Sequence, residues 1–301
     1  MLTIDKVKKA ETLLKDVIRK TDVIYAAALS TGAEIYLKSE NLQKTGSFKV
    51  RGAYTKIAQL SDEQKKKGII ACSAGNHAQG VALSAQKSGI KSTIFIPSTA
   101  PISKIEATKS YGAQIRLVDG VYDDAYNEAV KFQKETGAEF IHPFDDIEVI
   151  AGQGTIALEV LEQLPEVEAI IVPIGGGGLI SGIAYTLKML KPECKVYGVQ
   201  AAGAGSMYYS IENHRRTELP AVHTFADGTA VKMPGENTFA LCEKYVDRIV
   251  TVTDDEIATA ILTLMERQKL VAEGAGALSV AAAMFKKLPI EGKKTVCIVS
   301  G

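Results

Sequence analysis

The sequence predicts an α/β protein of two open twisted, mostly parallel sheets covered by helices. Two observations carry that expectation. Short apolar runs of β type alternate with segments of helical period, the βαβα order that builds parallel sheets with helices on both faces. At 301 residues the chain also exceeds a typical single domain, so two lobes are expected.

The first segment carries Ile4, Val7, Leu14, Val17 and Ile18, a helical stripe suited to packing on a larger body. Glu34–Lys38 reads as a short strand. Gly68–Cys72 leads into a helix over His77–Lys87, Ser92–Ile96 into one over Ile102–Ser110, and Gln114–Val118 into one over Tyr122–Glu135. Later, Ala169–Val172 precedes a helix over Leu179–Leu190, and a further strand runs over Lys195–Val199. The charge run Glu63–Lys67 reads as a solvated helix end. Residues 51–142 are expected to form a small domain of three or four strands. Residues 1–50 and 143–301 are expected to form a larger one.

Lys plus Arg equals Asp plus Glu at 35 each, which leaves no basic surplus to hold nucleic acid or a membrane surface. No segment reads as a signal peptide or a membrane span. Cys72, Cys194, Cys242 and Cys297 are scattered without a CxxC pair, which suits reduced thiols in a cytoplasm. His77, His142, His214 and His223 are dispersed too, so no metal site is expected. The expected ligand is a small molecule.

Gly175, Gly176, Gly177 and Gly178 lie between an apolar strand and a helix. Such a turn aims several N–H groups, and the positive end of a helix dipole, at an anion. The dinucleotide spacing fails, because the sixth position from Gly175 is Ile180 and from Gly176 is Ser181. A phosphate-loop lysine is also missing, since Ile183 follows Gly182. A single phosphate monoester on a compact cofactor remains.

Lys49 follows the Gly46-Ser47 turn, with Ser47 as the expected N-cap of a helix continuing through Tyr54, Ile57 and Leu60. A lysine in the first helical turn has its pKa lowered by the dipole, and a partly neutral amine forms Schiff bases. By itself this is a weak signal, because most basic residues are solvated surface groups.

Several segments together resemble the fold-type II pyridoxal-phosphate enzymes, and most closely the threonine dehydratases (threonine ammonia-lyases). They are Gly46-Ser-Phe-Lys-Val-Arg-Gly-Ala53, Ser73-Ala-Gly-Asn-His-Ala-Gln-Gly80, Gly175–Gly178, Ala226-Asp-Gly228, Val271-Ala-Glu-Gly-Ala-Gly-Ala277 and Val299-Ser-Gly301. The resemblance runs from end to end, and the order and spacing of the segments are specific where no single motif is. It implies that Lys49 binds pyridoxal 5'-phosphate as a Schiff base and later moves the substrate Cα proton. It also implies that Phe48 and Gly228 flank the pyridine ring, that Gly175–Gly178 hold the phosphate, and that Asn76 and Ser300 bond the ring hydroxyl and ring nitrogen. The turn of Ser73, Ala74, Gly75, Asn76 and His77 would grip the substrate carboxylate. Asp227 and Glu273 are read as residues without a defined cofactor contact.

The implied reaction is loss of water from L-threonine or L-serine, giving 2-oxobutanoate or pyruvate and ammonia. Serine racemase is the nearest rival. Racemases of this fold carry a serine where this chain has Ala74, and metal-binding carboxylates that align with Gln200 and Ser206 here. A nicotinamide-linked oxidoreductase and a non-catalytic metabolite-binding protein are the rivals of other classes. Both isoleucine biosynthesis and threonine catabolism stay open as roles. A homo-oligomer, dimer or tetramer, is expected.

Overall fold

The computed structural model describes residues 1–301. The first half runs α1 (Ile4–Leu14), β1 (Val23–Tyr25), β2 (Glu34–Ser39), α2 (Lys49–Ala58), α3 (Asp62–Lys67), β3 (Ile69–Cys72), α4 (Asn76–Ser88), β4 (Ser92–Pro97), α5 (Ile102–Ser110), β5 (Gln114–Val118), α6 (Tyr122–Thr136) and β6 (Glu139–Phe140). The second runs α7 (Ile147–Gln163), β7 (Ala169–Pro173), α8 (Gly178–Leu190), β8 (Lys195–Ala201), α9 (Ser206–Glu212), α10 (Glu236–Tyr245), β9 (Arg248–Val252), α11 (Asp254–Thr263), α12 (Gly274–Met284) and β10 (Lys294–Val299).

Two sheets result. The larger has the order β1-β2-β10-β7-β8-β9 and the smaller β5-β4-β3-β6. Only the β1–β2 pairing is antiparallel. β7 and β3 are buried at every position, as strands covered on both faces must be, and both read as unbroken apolar runs. The charge run at Glu63–Lys67 falls in α3, which buries no residue and is closed by a capping box between Ser61 and Gln64. No helix is long and apolar enough to cross a membrane.

In parallel α/β sheets, ligand sites form beyond the carboxyl ends of the strands. β2 ends at Ser39 before the Lys49 segment, and β3 at Cys72 before Ser73. β7 ends at Pro173 before the glycines, and β10 at Val299 before Ser300.

A buried charge cluster fixes α2 within this frame. The Arg51 guanidinium donates to both Glu40 oxygens, at 2.8 and 2.7 Å, and to both Glu159 oxygens, at 2.6 and 3.0 Å. Lys38 donates to Glu159 at 2.5 Å and to the Thr21 carbonyl at 2.6 Å, and the Thr21 hydroxyl donates to Glu40 at 2.6 Å. Two cations meet two carboxylates, so the cluster is neutral. Burial pushes the Glu40 carboxyl up, but the Arg51 and Lys38 charges outweigh it and hold Glu40 below its ordinary value. Burial lowers Lys38 more than its carboxylate neighbours raise it.

Arg51→Met should strand two carboxylates beside one lysine and cost about 3–5 kcal/mol of stability, read from the urea midpoint. A loss under about 1 kcal/mol would contradict this account of the cluster. Because Glu40 is depressed, its contribution is complete above the ordinary carboxylate value of 4.5 and is lost as pH falls through the lower folded value. Acid should therefore narrow the difference between Arg51→Met and the unaltered chain.

Candidate active site

Lys49 is the first residue of α2, and Phe48, not Ser47, is its N-cap. The Ser47 hydroxyl is buried with no partner, so the capping role read from sequence does not hold. The turn needs Gly46 at φ 71°, and the following Phe48 N–H donates to the Ser300 carbonyl at 3.1 Å. That bond pins the start of α2 to the end of β10. The Lys49 amine donates to the Pro143 carbonyl at 2.9 Å and lies 5.2 Å from the centre of the Phe48 ring. Burial lowers its pKa to about 8, opposed by the Glu273 carboxylate. Enclosure therefore supplies the depression that the sequence reading assigned to the helix dipole.

The four glycines form the turn from β7 into α8, with Gly177 as N-cap at φ 98°. The N–H groups of Gly175, Gly176, Gly177 and Gly178 donate to no protein acceptor, and the last three residues are buried. Buried donors without acceptors are rare, and an anion at a helix N-terminus satisfies them. The glycines are also demanded from behind. A β-carbon at Gly176 would overlap the Phe144 ring, and one at Gly178 would lie 2.9 Å from the Phe144 Cα. One at Gly177 would sit 2.7 Å from the Met207 methyl group. The Thr238 hydroxyl donates to the Gly176 carbonyl at 2.6 Å and holds the turn.

Ser73 to His77 turn from β3 into α4. The Gly75 N–H donates to the Ser73 hydroxyl at 3.2 Å, while those of Ala74, Asn76 and His77 have no protein acceptor. Gly80 lets α4 approach α2, since a β-carbon there would stand 3.0 Å from the Val50 nitrogen. Thus the turn is held beside Lys49. The His77 ring is buried, 2.8 Å from the Ile141 carbonyl, and burial pushes its pKa down to about 3. Neutral His77 donates through Nε2, so its ring belongs to the core and only its main chain serves the turn. Ala74 packs on the small-sheet core.

Ser300 is 4% exposed, and its hydroxyl bonds to no protein group. Gly228 follows Asp227, which forms an ion pair with Lys104 of α5 across the cleft between the sheets. Glu273 accepts from Asn76 Nδ2 at 2.6 Å. A β-carbon at Gly228 would lie 3.1 Å from its Oε1. Glu273 therefore sits beside Asn76 and Gly228. Sequence reasoning missed His142-Pro143-Phe144-Asp145. Pro143 holds the lysine, Phe144 backs the glycines, and Asp145 caps α10 by accepting from Glu236 and Thr238 N–H at 2.9 and 3.2 Å. His142 Nδ1 accepts from Phe144 and Asp145 N–H, at 3.3 and 2.8 Å, and braces the segment. Its only forerunner is the two-residue β6, too short to leave a strand pattern.

The chain matches the model of the pyridoxal-phosphate dependent enzyme family over residues 14–301. It belongs to that family. An L-threonine ammonia-lyase of Thermotoga maritima is 54% identical over 303 residues, spanning 100% of this chain and 75% of that protein. A catabolic L-threonine dehydratase of Staphylococcus aureus is 46% identical over 307 residues, spanning 100% of this chain and 89% of that one. Among solved structures, maize serine racemase superposes with a TM-score of 0.96 at 37% identity, covering 100% and 93% of the two chains. A tomato (Solanum lycopersicum) threonine deaminase superposes at 0.94 and 38%, covering 99% and 84%.

The residues fit the family's cofactor. Four N–H groups without acceptors suit the phosphate of pyridoxal phosphate, a low-pKa amine suits its aldehyde, and a free hydroxyl at Ser300 suits an uncharged ring contact. Gln200 accepts from the Tyr208 N–H at 2.8 Å.

Gly176→Ala should press a methyl group into the Phe144 ring, shift the turn and weaken pyridoxal-phosphate binding by about 1–3 kcal/mol. Adding Phe144→Ala should restore part of that loss in a spectroscopic cofactor titration. No recovery would mean that the wall behind the glycines is not what excludes a side chain.

Proposed function

We propose that the chain deaminates L-threonine, and L-serine in the same site, by β-elimination of water. The products are 2-oxobutanoate or pyruvate, and ammonia. The observation that carries this reading is the placing of the low-pKa Lys49 amine beside the two turns with free N–H groups. One turn suits a phosphate and the other a substrate carboxylate. The identity to threonine ammonia-lyases along the whole chain supports the choice of substrate.

When bound, the cofactor withdraws the negative charge that develops at the substrate Cα. Lys49 would hold the cofactor, and its amine, once free, would be the base for the Cα proton. Gly175–Gly178 would hold the phosphate, Phe48 and Gly228 would flank the ring, and Asn76 and Ser300 would serve the ring hydroxyl and ring nitrogen. A neutral serine hydroxyl does not force a proton onto that nitrogen. The ring would then stabilise that charge less, which favours prompt loss of the β-hydroxyl. Ser73, Ala74, Gly75, Asn76 and His77 orient the substrate through main-chain N–H groups. The released enamine takes back water as it hydrolyses, so the net change is loss of ammonia.

We also infer two domains, residues 1–50 with 143–301 and residues 51–142. The first boundary falls within α2, which packs against both α4 and α7 and so bridges the two. Ile24 and Tyr25, exposed on edge strand β1, support a homo-oligomer. Four free buried thiols support a cytoplasmic setting.

Lys49→Ala should abolish 2-oxo acid formation, and borohydride reduction of the unaltered holoenzyme should place the pyridoxyl label on Lys49. A label found chiefly on another lysine would overturn the assignment. Serine racemase, favoured by the maize superposition, makes an opposite forecast. Racemisation needs a proton donor on the face of Cα away from Lys49, and the Ala74 methyl group supplies none. Chiral analysis of residual L-serine during turnover should therefore show pyruvate with little D-serine, whereas D-serine forming as fast as pyruvate would establish a racemase.

A further inference from the structure

The hydrogen bond between Asn76 and Glu273 spans 197 residues of sequence. It joins the start of α4, behind the small sheet, to the N-cap of α12, behind the large one.

The Glu273 carboxylate has little freedom. Its own N–H donates to the Gly301 carbonyl at 3.1 Å. A β-carbon at Gly301 would come within 2.5 Å of Oε1, and one at Gly228 within 3.1 Å. The carboxylate is therefore wedged between two glycines beside Ser300, and Asn76 is its hydrogen-bond partner. The charged groups facing it are Asp227, Lys104 and Lys49.

An ionised carboxylate only accepts hydrogen bonds, whereas an amide has one donating and one accepting end. Glu273 must therefore receive the Asn76 NH2 group, and that settles which end of the amide stays free. Without it, Asn76 would rotate between two nearly isosteric orientations, only one of which offers its carbonyl oxygen to a hydroxyl.

We propose that Glu273 is a positioning residue of the cofactor site, holding the Asn76 amide in the orientation that leaves its carbonyl oxygen for the ring hydroxyl of pyridoxal phosphate. The inference rests on the cofactor-binding reading above, and it adds a residue that meets the ring hydroxyl through Asn76.

The test is a set of pyridoxal-phosphate titrations on purified protein, followed by the visible absorption band and the fluorescence of bound cofactor. The unaltered protein must show a lysine-bound band that borohydride erases. Absence of that band would refute the cofactor reading itself, separately from the role of Glu273. Glu273→Ala and Asn76→Ala should each raise the Kd about tenfold, as loss of a charge-assisted hydrogen bond implies. The double variant should be about as weak as either single one, since both remove the same contact. Glu273→Gln still offers an acceptor to Asn76 and should stay within about threefold of the unaltered protein, with its band unshifted. Losses that multiply in the double variant, or a Glu273→Gln as weak as Glu273→Ala, would overturn the proposal.

A charge exchange covers the case in which Glu273→Ala does not fold. Asn76→Asp sets two carboxylates against each other and should lose cofactor affinity. Adding Glu273→Gln restores a donor–acceptor pair and should recover affinity at least about threefold. No recovery in that pair would also overturn the proposal.

Discussion

The site depends on one buried guanidinium. Arg51 lies two residues beyond Lys49 and binds two carboxylates, one from the turn after β2 and one from α7. Each carboxylate arrives from a different layer, so α2 can neither slide nor rotate without breaking a bidentate contact. Such a cluster adds little net stability over a well-packed apolar core, because desolvating four charges offsets most of their attraction. What it provides is register. Hydrophobic contacts would tolerate α2 displaced by part of a turn; fork-to-fork hydrogen bonds do not. The position of the Lys49 amine is thus set from beneath by charges that take no part in the chemistry.

From above, the same lysine is set by a loop. Pro143 accepts from its amine, Phe144 closes the back of the glycine turn, and Asp145 caps α10. Three consecutive residues thereby tie the reactive amine to the phosphate cradle. This alters the physical meaning of the glycines. Close approach of an anion explains their free N–H groups, but their missing side chains are explained as much by Phe144 and Met207 packed behind them. Rigid support from behind keeps the N–H groups convergent, which a flexible glycine run would not do alone.

Much of the frame was legible in the sequence because parallel strands buried on both faces leave unbroken apolar runs, as β3 and β7 do. Helix α7 was not legible. Eleven of its 17 residues are buried, so it has no polar face to mark a helical period. Helix α12, built from glycine, alanine and other buried residues, hides for the same reason. At the site, motifs placed Lys49, the glycines and the Ser73–His77 turn, all of which lie just past strand ends. Glu273 stood in a recognised motif but without a role, because its partner Asn76 lies far away in sequence; Pro143, Phe144 and Asp145 escaped for the same reason. Ser47 misled for a local reason: its hydroxyl is buried, and the capping position passes to Phe48.

The remaining question is why a lysine, rather than a histidine, should serve such a site. A single group must bond covalently to an aldehyde, leave, and then accept a proton, so it needs nucleophilicity when neutral and reach when free. Burial supplies the first by lowering the amine to about 8. The Glu273 carboxylate opposes the depression, although burial raises its own pKa as well. The two nearby imidazoles cannot share this work. His77 is held neutral in the core against Ile141, and His142 spends its accepting nitrogen on two main-chain N–H groups. Burial lowers both rings, and the Lys49 charge lowers them further. Lys49 is thus left as the nearby base that can both gain and lose a proton around neutrality.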